Sequence, residues 1–206
     1  MKTIAIINCG SAHYAEKILN IIAQDEVSGQ IFNLSPQNSN EISSQIFELH
    51  PSGIIITGSP DHLYLSSARI LPQDFADFVI KDPTPLLGIC YGHQMLATLF
   101  GGRVIKNPKG LELGPHRIKC NEFPYPLFDG LKKNFFAFMG HYDTISQLPQ
   151  NFHNFATTAK TQYVAIQFFQ NEESFPIFGV QFHPEMSCKK VCNRIFSNFI
   201  EICYEN

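Results

Sequence analysis

The stretch Gly88-Ile89-Cys90-Tyr91-Gly92 decides the fold, because it joins an apolar run to a helix-like segment through a sharp turn. The residues at 84–89 predict a buried strand, and residues 91–100 predict a helix that ends at Gly101-Gly102. Cysteine stands on the turn, in the place that a nucleophile takes in a strand–turn–helix elbow. The N–H groups at the start of the following helix favour a thiolate, and they can stabilise an oxyanion on an attacked carbonyl.

The first half of the chain alternates apolar runs with segments of helical period. Strands are predicted at 3–8, 30–34, 53–57 and 84–89, and helices at 15–23, 41–49, 71–80 and 91–100. Alternating strands and helices of these lengths indicate an α/β fold. We therefore expect a flavodoxin-like, doubly wound, mainly parallel sheet with helices on both faces.

The second half has a different pattern, with short extended pieces and one final helix. Extended pieces are predicted at 103–105, 116–119, 135–139, 155–158, 164–168 and 177–182, a turn at 140–143 and a helix at 189–204. These pieces predict a small antiparallel extension of the sheet. Because the sequence contains neither a linker nor an internal repeat, residues 1–206 are expected to form a single domain.

Composition excludes several classes of function. The net charge of −3, with no block of like charges, argues against a binder of nucleic acid or of anionic membranes. No apolar stretch approaches the ~18–20 residues that span a bilayer, and Met1-Lys2-Thr3 runs directly into a strand. We therefore expect a cytoplasmic protein without a leader, whose six cysteines are free thiols. Cys188 and Cys192 are four residues apart, but no second pair of ligands completes a metal site, so no metal is expected.

The segment Gln181-Phe182-His183-Pro184-Glu185 is the main candidate partner of Cys90. Pro184 disfavours a helical conformation at His183, and residues two apart in an extended chain point to the same side. Glu185 can then accept from one ring nitrogen of His183 and leave the other to act as a base toward a thiol. Gly58, Cys90 and His183 all follow predicted strands, and functional loops of doubly wound sheets lie at the carboxyl ends of strands.

These two motifs together resemble those of the class I (triad) glutamine amidotransferases, over nearly the whole chain. Within that family the sequence is most similar to the glutaminase part of GMP synthetases. Four stretches carry the closer similarity: Gly10-Ser11, residues 51–60, Glu112-Leu113-Gly114 and residues 139–143.

The resemblance implies a role for each candidate residue. Cys90 would attack the side-chain amide of glutamine, His183 would act as general base and acid, and Glu185 would orient it. The N–H groups of Tyr91 and of the Gly58-Ser59 loop would form the oxyanion hole.

Further residues of the same motifs would contact the substrate. The resemblance implies that Gln94 helps to hold glutamine and that His141 and Asp143 contribute to the rim of the substrate site. For the last two residues a simpler interpretation is a turn in which Asp143 caps a neighbour. The implied chemistry needs no metal ion and no organic cofactor.

The chain departs from the family pattern in ways that bear on its partners. Serine stands at position 59 where glycine is usual, and glycine lets a loop amide turn toward an oxyanion without steric conflict. The serine is therefore expected either to strain this loop or to leave the oxyanion hole unformed until a partner binds. The sequence also has no Ser-Gly-Gly-x-Asp-Ser loop and no Walker A motif. An ATP-dependent synthetase that consumes the ammonia is thus expected on a separate chain.

Two other functions remain open on sequence grounds. The same Cys, His and Glu would serve a free-standing hydrolase or transferase of another γ-glutamyl compound. A binding module without catalysis is disfavoured, because it has no chemical reason to keep Cys90, His183 and Glu185.

Overall fold

The computed structural model describes residues 2–10, 12–25, 27–65, 67–121, 125–170 and 173–205. Ser11, one of the residues that carry the family resemblance, lies outside this part of the chain. The strands are β1 Thr3–Asn8, β2 Ser28–Asn33, β3 Gly53–Ile56, β4 Leu86–Ile89, β5 Arg103–Lys106, β6 Glu112–Cys120, β7 Asn134–His141, β8 Asp143–Gln147, β9 Phe152–Thr157, β10 Ala165–Gln170 and β11 Glu173–Val180. The helices are α1 Ala12–Ile22, α2 Ser39–Leu49, α3 Gln73–Lys81, α4 Tyr91–Leu99 and α5 Lys189–Glu205.

One sheet of nine strands organises the molecule, in the order β2-β1-β3-β4-β11-β10-β9-β6-β7. The five strands from β2 to β11 pair in parallel, and the remaining strands continue the sheet by antiparallel pairing. A separate two-stranded antiparallel sheet joins β5 to β8. The α/β fold predicted from the sequence, with its antiparallel extension in the second half, is confirmed.

Alternate residues of the parallel strands supply two hydrophobic cores, one on each face of the sheet. In β1, Ile4 and Ile6 pack with α1 and α5, whereas Ala5 and Ile7 pack on the opposite face with α2, α3 and α4. All four side chains are almost fully buried. A strand covered on both faces is apolar throughout, and this is the pattern that the sequence shows in its first half.

The second half differs most from the expected elements. Residues 112–120 form one long strand, where the sequence predicted only the piece at 116–119, and β8 was not predicted. The expected turn at 140–143 is the junction where β7 ends at His141 and β8 begins at Asp143, with Tyr142 between them. This junction places the side chains of His141 and Asp143 near Cys90, and all three residues line the same cavity.

The order β3-β4-β11 positions the site. These neighbouring strands are parallel, so Gly58, Cys90 and His183, which follow them, emerge at one edge of the sheet. Residues far apart in the chain thus meet at the carboxyl ends of three adjacent strands.

Candidate active site

Cys90 occupies a strained turn between β4 and α4. Its backbone has φ of 51° and ψ of −98°, one of two non-glycine residues with positive φ among those that the structure describes. Such conformations cost about 1–3 kcal/mol and cluster at functional sites. The Cys90 N–H donates to the carbonyl of Val180 over 2.8 Å, which ties the turn to the end of β11.

The glycines on either side of Cys90 allow the close approach of strand and helix. A Cβ atom at Gly88 would lie 2.6 Å from the backbone of Gly92, and one at Gly92 would lie 2.4 Å from the carbonyl oxygen of Ile56. Neither contact leaves room for a methyl group. The two glycines therefore let α4 start directly above β3 and β4.

His183 and Glu185 form a buried hydrogen-bonded pair beside this turn. The Nδ1 atom of His183 lies 2.7 Å from Oε1 of Glu185, and the side chains are 6% and 0% exposed. Burial acts to lower the pKa of His183, but the charge of Cys90, a hydrogen bond with its sulfur and the Glu185 carboxylate together raise that pKa well above its ordinary value. The imidazole is thus held between an acid and a thiol.

The two side chains meet as expected, but by another backbone conformation. His183 is extended, with φ of −100° and ψ of 94°, whereas Pro184–Met186 form a turn of 3₁₀ helix. A hydrogen bond from the His183 N–H to the carbonyl of Phe138, 2.8 Å long, holds the start of this turn against β7. The tight turn, rather than a continuous strand, brings the carboxylate back to the ring.

The Gly58-Ser59 loop faces the same pair. A Cβ atom at Gly58 would lie 2.8 Å from Cε1 of His183 and 3.6 Å from Cβ of Cys90. The Ser59 hydroxyl accepts a hydrogen bond from the N–H of Asp61 over 3.1 Å, so it shapes its own loop. Tyr91 is the first residue of α4, where a backbone N–H has no partner within the helix.

The predicted rim residues belong to a network around the carbonyl of Asp143. Nε2 of Gln94 donates to this carbonyl over 2.9 Å and to Oε1 of Gln181 over 3.0 Å, which uses both of its N–H bonds. Nδ1 of His141 lies 2.7 Å from the same carbonyl. The Asp143 carboxylate contacts Nδ1 of His62 at 2.6 Å, so Asp143 caps a neighbour and also lines the cavity.

Glu112 supports this network from inside the protein. Its side chain is fully buried, accepts hydrogen bonds from the hydroxyls of Thr158 and Thr161 over 2.7 and 2.6 Å, and lies 3.3 Å from Nε2 of His141. Burial acts to raise the pKa of Glu112, but His141 and the two threonines outweigh it and lower the pKa to about 2. Nδ1 of His141 donates to the carbonyl of Asp143, and its Nε2 lies beside the Glu112 carboxylate.

Replacing Glu112 by Gln should lower the free energy of unfolding by about 3 kcal/mol at pH 7, because the buried ring of His141 would then lie beside a neutral amide instead of a carboxylate. The carboxylate has a pKa below its ordinary value of 4.5, so its contribution is present above pH 4.5 and is lost as the pH falls toward about 2. Urea unfolding of the two proteins at pH 7, 4.5 and 3 measures the difference. Glu41→Gln, at an exposed position of α2, should have little effect. A Glu112→Gln deficit as large at pH 3 as at pH 7 would contradict the assignment.

Sequence reasoning missed three residues that the site brings together: Glu112, His62 and Gln181. Glu112 and Gln181 lie in two of the motifs that carry the family resemblance. No local pattern in the sequence, however, identifies their side chains as partners of His141 and Cys90. His62 lies in a predicted loop without a motif. Their importance depends on contacts between residues 29 to 91 positions apart.

A cavity of about 600 Å³ connects these groups, and Cys90, Gln94, Asp143 and His183 line it. The exposed side chains of Leu113 and Tyr142 stand at its mouth. Within the described ranges, no group of three or more His, Cys, Asp or Glu side chains could hold a metal ion, and no helix is long and apolar enough to cross a membrane. The cavity is thus an open site of the size of a small metabolite, with a thiol, an imidazole and a carboxylate on its wall.

Comparison with known proteins gives concordant results for sequence and structure. The family model for glutamine amidotransferase class-I matches residues 5–203. A GMP synthase (glutamine-hydrolyzing) of Thermosipho melanesiensis is 33% identical over 200 residues, which cover 97% of this chain and 36% of that protein. One from Borreliella burgdorferi is 37% identical over 153 residues, covering 74% of this chain and 28% of that protein. The chain thus spans about a third of the length of these curated relatives.

Solved structures share the fold. A protein from Thermoplasma acidophilum, provisionally assigned as one of the subunits of a GMP synthase, has a TM-score of 0.77 at 24% identity, covering 100% of this chain and 95% of that one. A glutamine amidotransferase from Thermotoga maritima has a TM-score of 0.69 at 17% identity, covering 100% and 85%. The chain belongs to the class-I glutamine amidotransferase family and is a glutamine amidotransferase domain similar to the corresponding part of GMP synthases.

Proposed function

We propose that Cys90, His183 and Glu185 hydrolyse the side-chain amide of glutamine to glutamate and ammonia. The observation that carries this proposal is the strained Cys90 turn beside a buried His183–Glu185 pair, with Cys90 and His183 lining one cavity of about 600 Å³. A thiol, a base and an orienting carboxylate are the three groups that acyl transfer through a covalent intermediate requires. Family membership, covering residues 5–203, supports the choice of glutamine as the acyl donor and the treatment of residues 1–206 as one domain.

The first half-reaction forms a thioester. The Cys90 thiolate attacks the carboxamide carbon, and the carbonyl π electrons move to oxygen to give an oxyanion. The N–H groups of Tyr91 and of the Gly58-Ser59 loop would stabilise that oxyanion. The protonated His183 then gives its proton to the amide nitrogen, the C–N bond breaks, and ammonia leaves.

The second half-reaction releases glutamate. His183, now neutral, takes a proton from water as the water oxygen attacks the thioester carbon. The tetrahedral intermediate collapses, the C–S bond breaks, and the sulfur leaves as a thiolate that His183 again accompanies as an imidazolium. The γ-carboxylic acid that forms loses its proton to the released ammonia or to water, which gives glutamate. The Glu185 carboxylate, 2.7 Å from Nδ1, stabilises that imidazolium in both steps. The electron pairs and protons therefore balance without an oxidant, a metal or a cofactor.

Gln94, His141 and Asp143 would hold the substrate in different ways. Because both N–H bonds of Gln94 are used within the protein, its oxygen is the atom that remains to accept a hydrogen bond, for instance from the α-ammonium group of glutamine. His141 donates to the Asp143 carbonyl and so keeps the rim of the cavity in place. The Asp143 carboxylate, already bound by His62, adds negative charge on the same side.

We further propose that the ammonia passes to an ATP-dependent synthetase, as the names of the GMP synthase relatives suggest, and that the protein works in the cytoplasm. The relatives are about three times as long as this chain, so the synthetase would be a further part of the assembly. All six cysteines are free, and free thiols are usual in proteins of a reducing compartment. Exposed Leu113 and Tyr142 at the mouth of the cavity offer apolar area near the site from which ammonia leaves.

The test is to measure release of glutamate and ammonia from glutamine, alone and with a GMP synthetase that lacks its own glutaminase. We expect hydrolysis in both cases and a rise in kcat when the synthetase and its substrates are present, since the loop that carries Ser59 would complete the oxyanion hole only with a partner. Equal turnover with and without the synthetase would refute the proposed activation by a partner. Failure to hydrolyse glutamine, together with hydrolysis of other γ-glutamyl amides or peptides, would favour the alternative γ-glutamyl hydrolase.

A further inference from the structure

The side chain of Gln181 contacts the sulfur of Cys90. It is fully buried directly after β11, and its Nε2 lies 3.6 Å from Sγ. The backbone of Gln181 is fixed as well, because its N–H donates to the carbonyl of Val164 over 2.9 Å. Cys90 and Gln181 thus stand at the ends of two adjacent parallel strands, with the amide aimed at the thiol.

The surrounding hydrogen bonds decide which end of this amide faces the sulfur. The carbonyl of Asp143 can only accept, so the nitrogen of Gln94 must face it. The second N–H of Gln94 then donates to Oε1 of Gln181 over 3.0 Å. With its oxygen held in this way, Gln181 presents its N–H₂ group to Sγ of Cys90.

The Gln181 amide can donate a hydrogen bond to a Cys90 thiolate, a role that the other neighbours of the sulfur described below do not fill. The carbonyl of Gly140, 3.9 Å from Sγ, can accept a hydrogen bond from the thiol but has no donor to offer a thiolate. His183 lines the cavity together with Cys90 and supplies the proton for the leaving ammonia. An N–H bond to a charged acceptor is roughly twice as strong as a neutral one, so the Gln181 amide favours the thiolate over the thiol.

We propose that Gln181 is a catalytic residue that donates its N–H to the Cys90 thiolate, and that Gln94 is a positioning residue that acts through Gln181. The proposal rests on the function proposed above for the reaction itself. The donor holds the charged sulfur at a fixed place opposite the substrate carbonyl. When the thioester forms, the sulfur loses its charge and the hydrogen bond weakens, and it strengthens again as the thiolate leaves.

The experiment measures the rate of alkylation of Cys90 by iodoacetamide against pH, followed by mass spectrometry of the peptide that contains Cys90. Gln181→Met removes the donor at similar volume, and Gln181→Glu keeps the shape and still accepts from Gln94 but cannot donate to the sulfur. Gln167→Met is the matched control: Gln167 is a buried glutamine of β10 whose Nε2 donates to the carbonyl of Phe175, 3.1 Å away. The titratable groups around the sulfur, His183 with Glu185, His141 with Glu112 and Asp143 with His62, stay unchanged in all three proteins.

We expect the midpoint of the alkylation profile to rise by about one pH unit in Gln181→Met, and by more in Gln181→Glu, because a lost charge-assisted hydrogen bond is of that size. The kcat/KM for glutamine should fall at least about tenfold. Gln167→Met should leave both quantities at the wild-type values. Gln94→Met should raise the midpoint in the same direction, and the double variant should match Gln181→Met alone, because the two amides act in series.

An unchanged midpoint in folded Gln181→Met would show that the amide is only a satisfied buried group and would overturn the proposal. If that variant does not fold, the midpoint of Gln181→Glu decides in the same way. The alkylation profile does not depend on glutamine. A wild-type protein that fails to hydrolyse glutamine would therefore refute the function proposed above, while the shifted midpoint would still support the thiolate donor.

Discussion

Replacing Cys90 by Ala is expected to reduce glutamine hydrolysis about 10,000-fold or more, the largest effect of any single substitution in this chain. Removing the nucleophile of a triad costs about as much as removing all its members, because the remaining groups have no covalent intermediate to serve. Steady-state assays of glutamate release measure the loss. A diazo-ketone analogue of glutamine should label the wild-type protein at Cys90 and leave the variant unlabelled.

A matched control separates chemistry from folding. Cys120 is also a buried free thiol, but it ends β6 within the hydrophobic core and lies outside the cavity. Cys120→Ala should cost about 1 kcal/mol of stability and keep full turnover and labelling. Turnover that persists in folded Cys90→Ala would refute the assignment of Cys90 as the nucleophile.

Replacing Gly92 by Ala is expected to lower the free energy of unfolding by about 3 kcal/mol or more, or to prevent folding. In an ordinary helix this substitution would stabilise by roughly 1 kcal/mol, since alanine is the better helix former. Here the new methyl group would lie 2.4 Å from the carbonyl oxygen of Ile56 and 2.9 Å from two further atoms of that residue. The main chain of Ile56 cannot rotate away as a side chain can. The helix α4 would therefore have to move away from β3, and the Cys90 turn would move with it.

Gly29→Ala provides the comparison at the same distance. Its added methyl group would also lie 2.4 Å from its nearest neighbour, but that neighbour is a terminal methyl carbon of Leu19, which can change rotamer. We expect a loss of about 1 kcal/mol or less, measured by urea unfolding of both variants. Similar losses of stability for the two substitutions would contradict this explanation. They would show that the contact between α4 and β3 adjusts to an added methyl group as easily as the Leu19 side chain does.

The first half of the fold was predictable because its signals are local. Its central strands β1, β3 and β4 are buried on both faces and are therefore largely apolar, and the helices between the strands keep a helical period. In the second half, the strand at 112–120 contains Gly114 with φ of 91° followed by Pro115, and both residues ordinarily mark a break. The strand nevertheless continues, because β7 pairs with it across both positions.

The residues of the site also differ in whether a local sequence pattern identifies them. Cys90, His183 and Glu185 lie in two short motifs with recognisable chemistry, so the sequence was sufficient to single them out. Gln181 and Glu112 are different, because a buried amide or carboxylate is marked only by what it touches. Those partners come from strands whose neighbours no local pattern predicts.

The position of β11 has a consequence for how the protein is made. This strand lies between β4 and β10, so it joins the parallel part of the sheet, formed by residues 3–89, to the antiparallel part. It also carries His183 and Glu185 to the thiol at its carboxyl end. A nascent chain that has not yet reached residue 173 holds Cys90 without its base, and the two parts of its sheet have no common strand. We therefore expect the ability to release ammonia to arise in the last step of folding, when β11 inserts, which spares the cell a hydrolase that is active before its fold is complete.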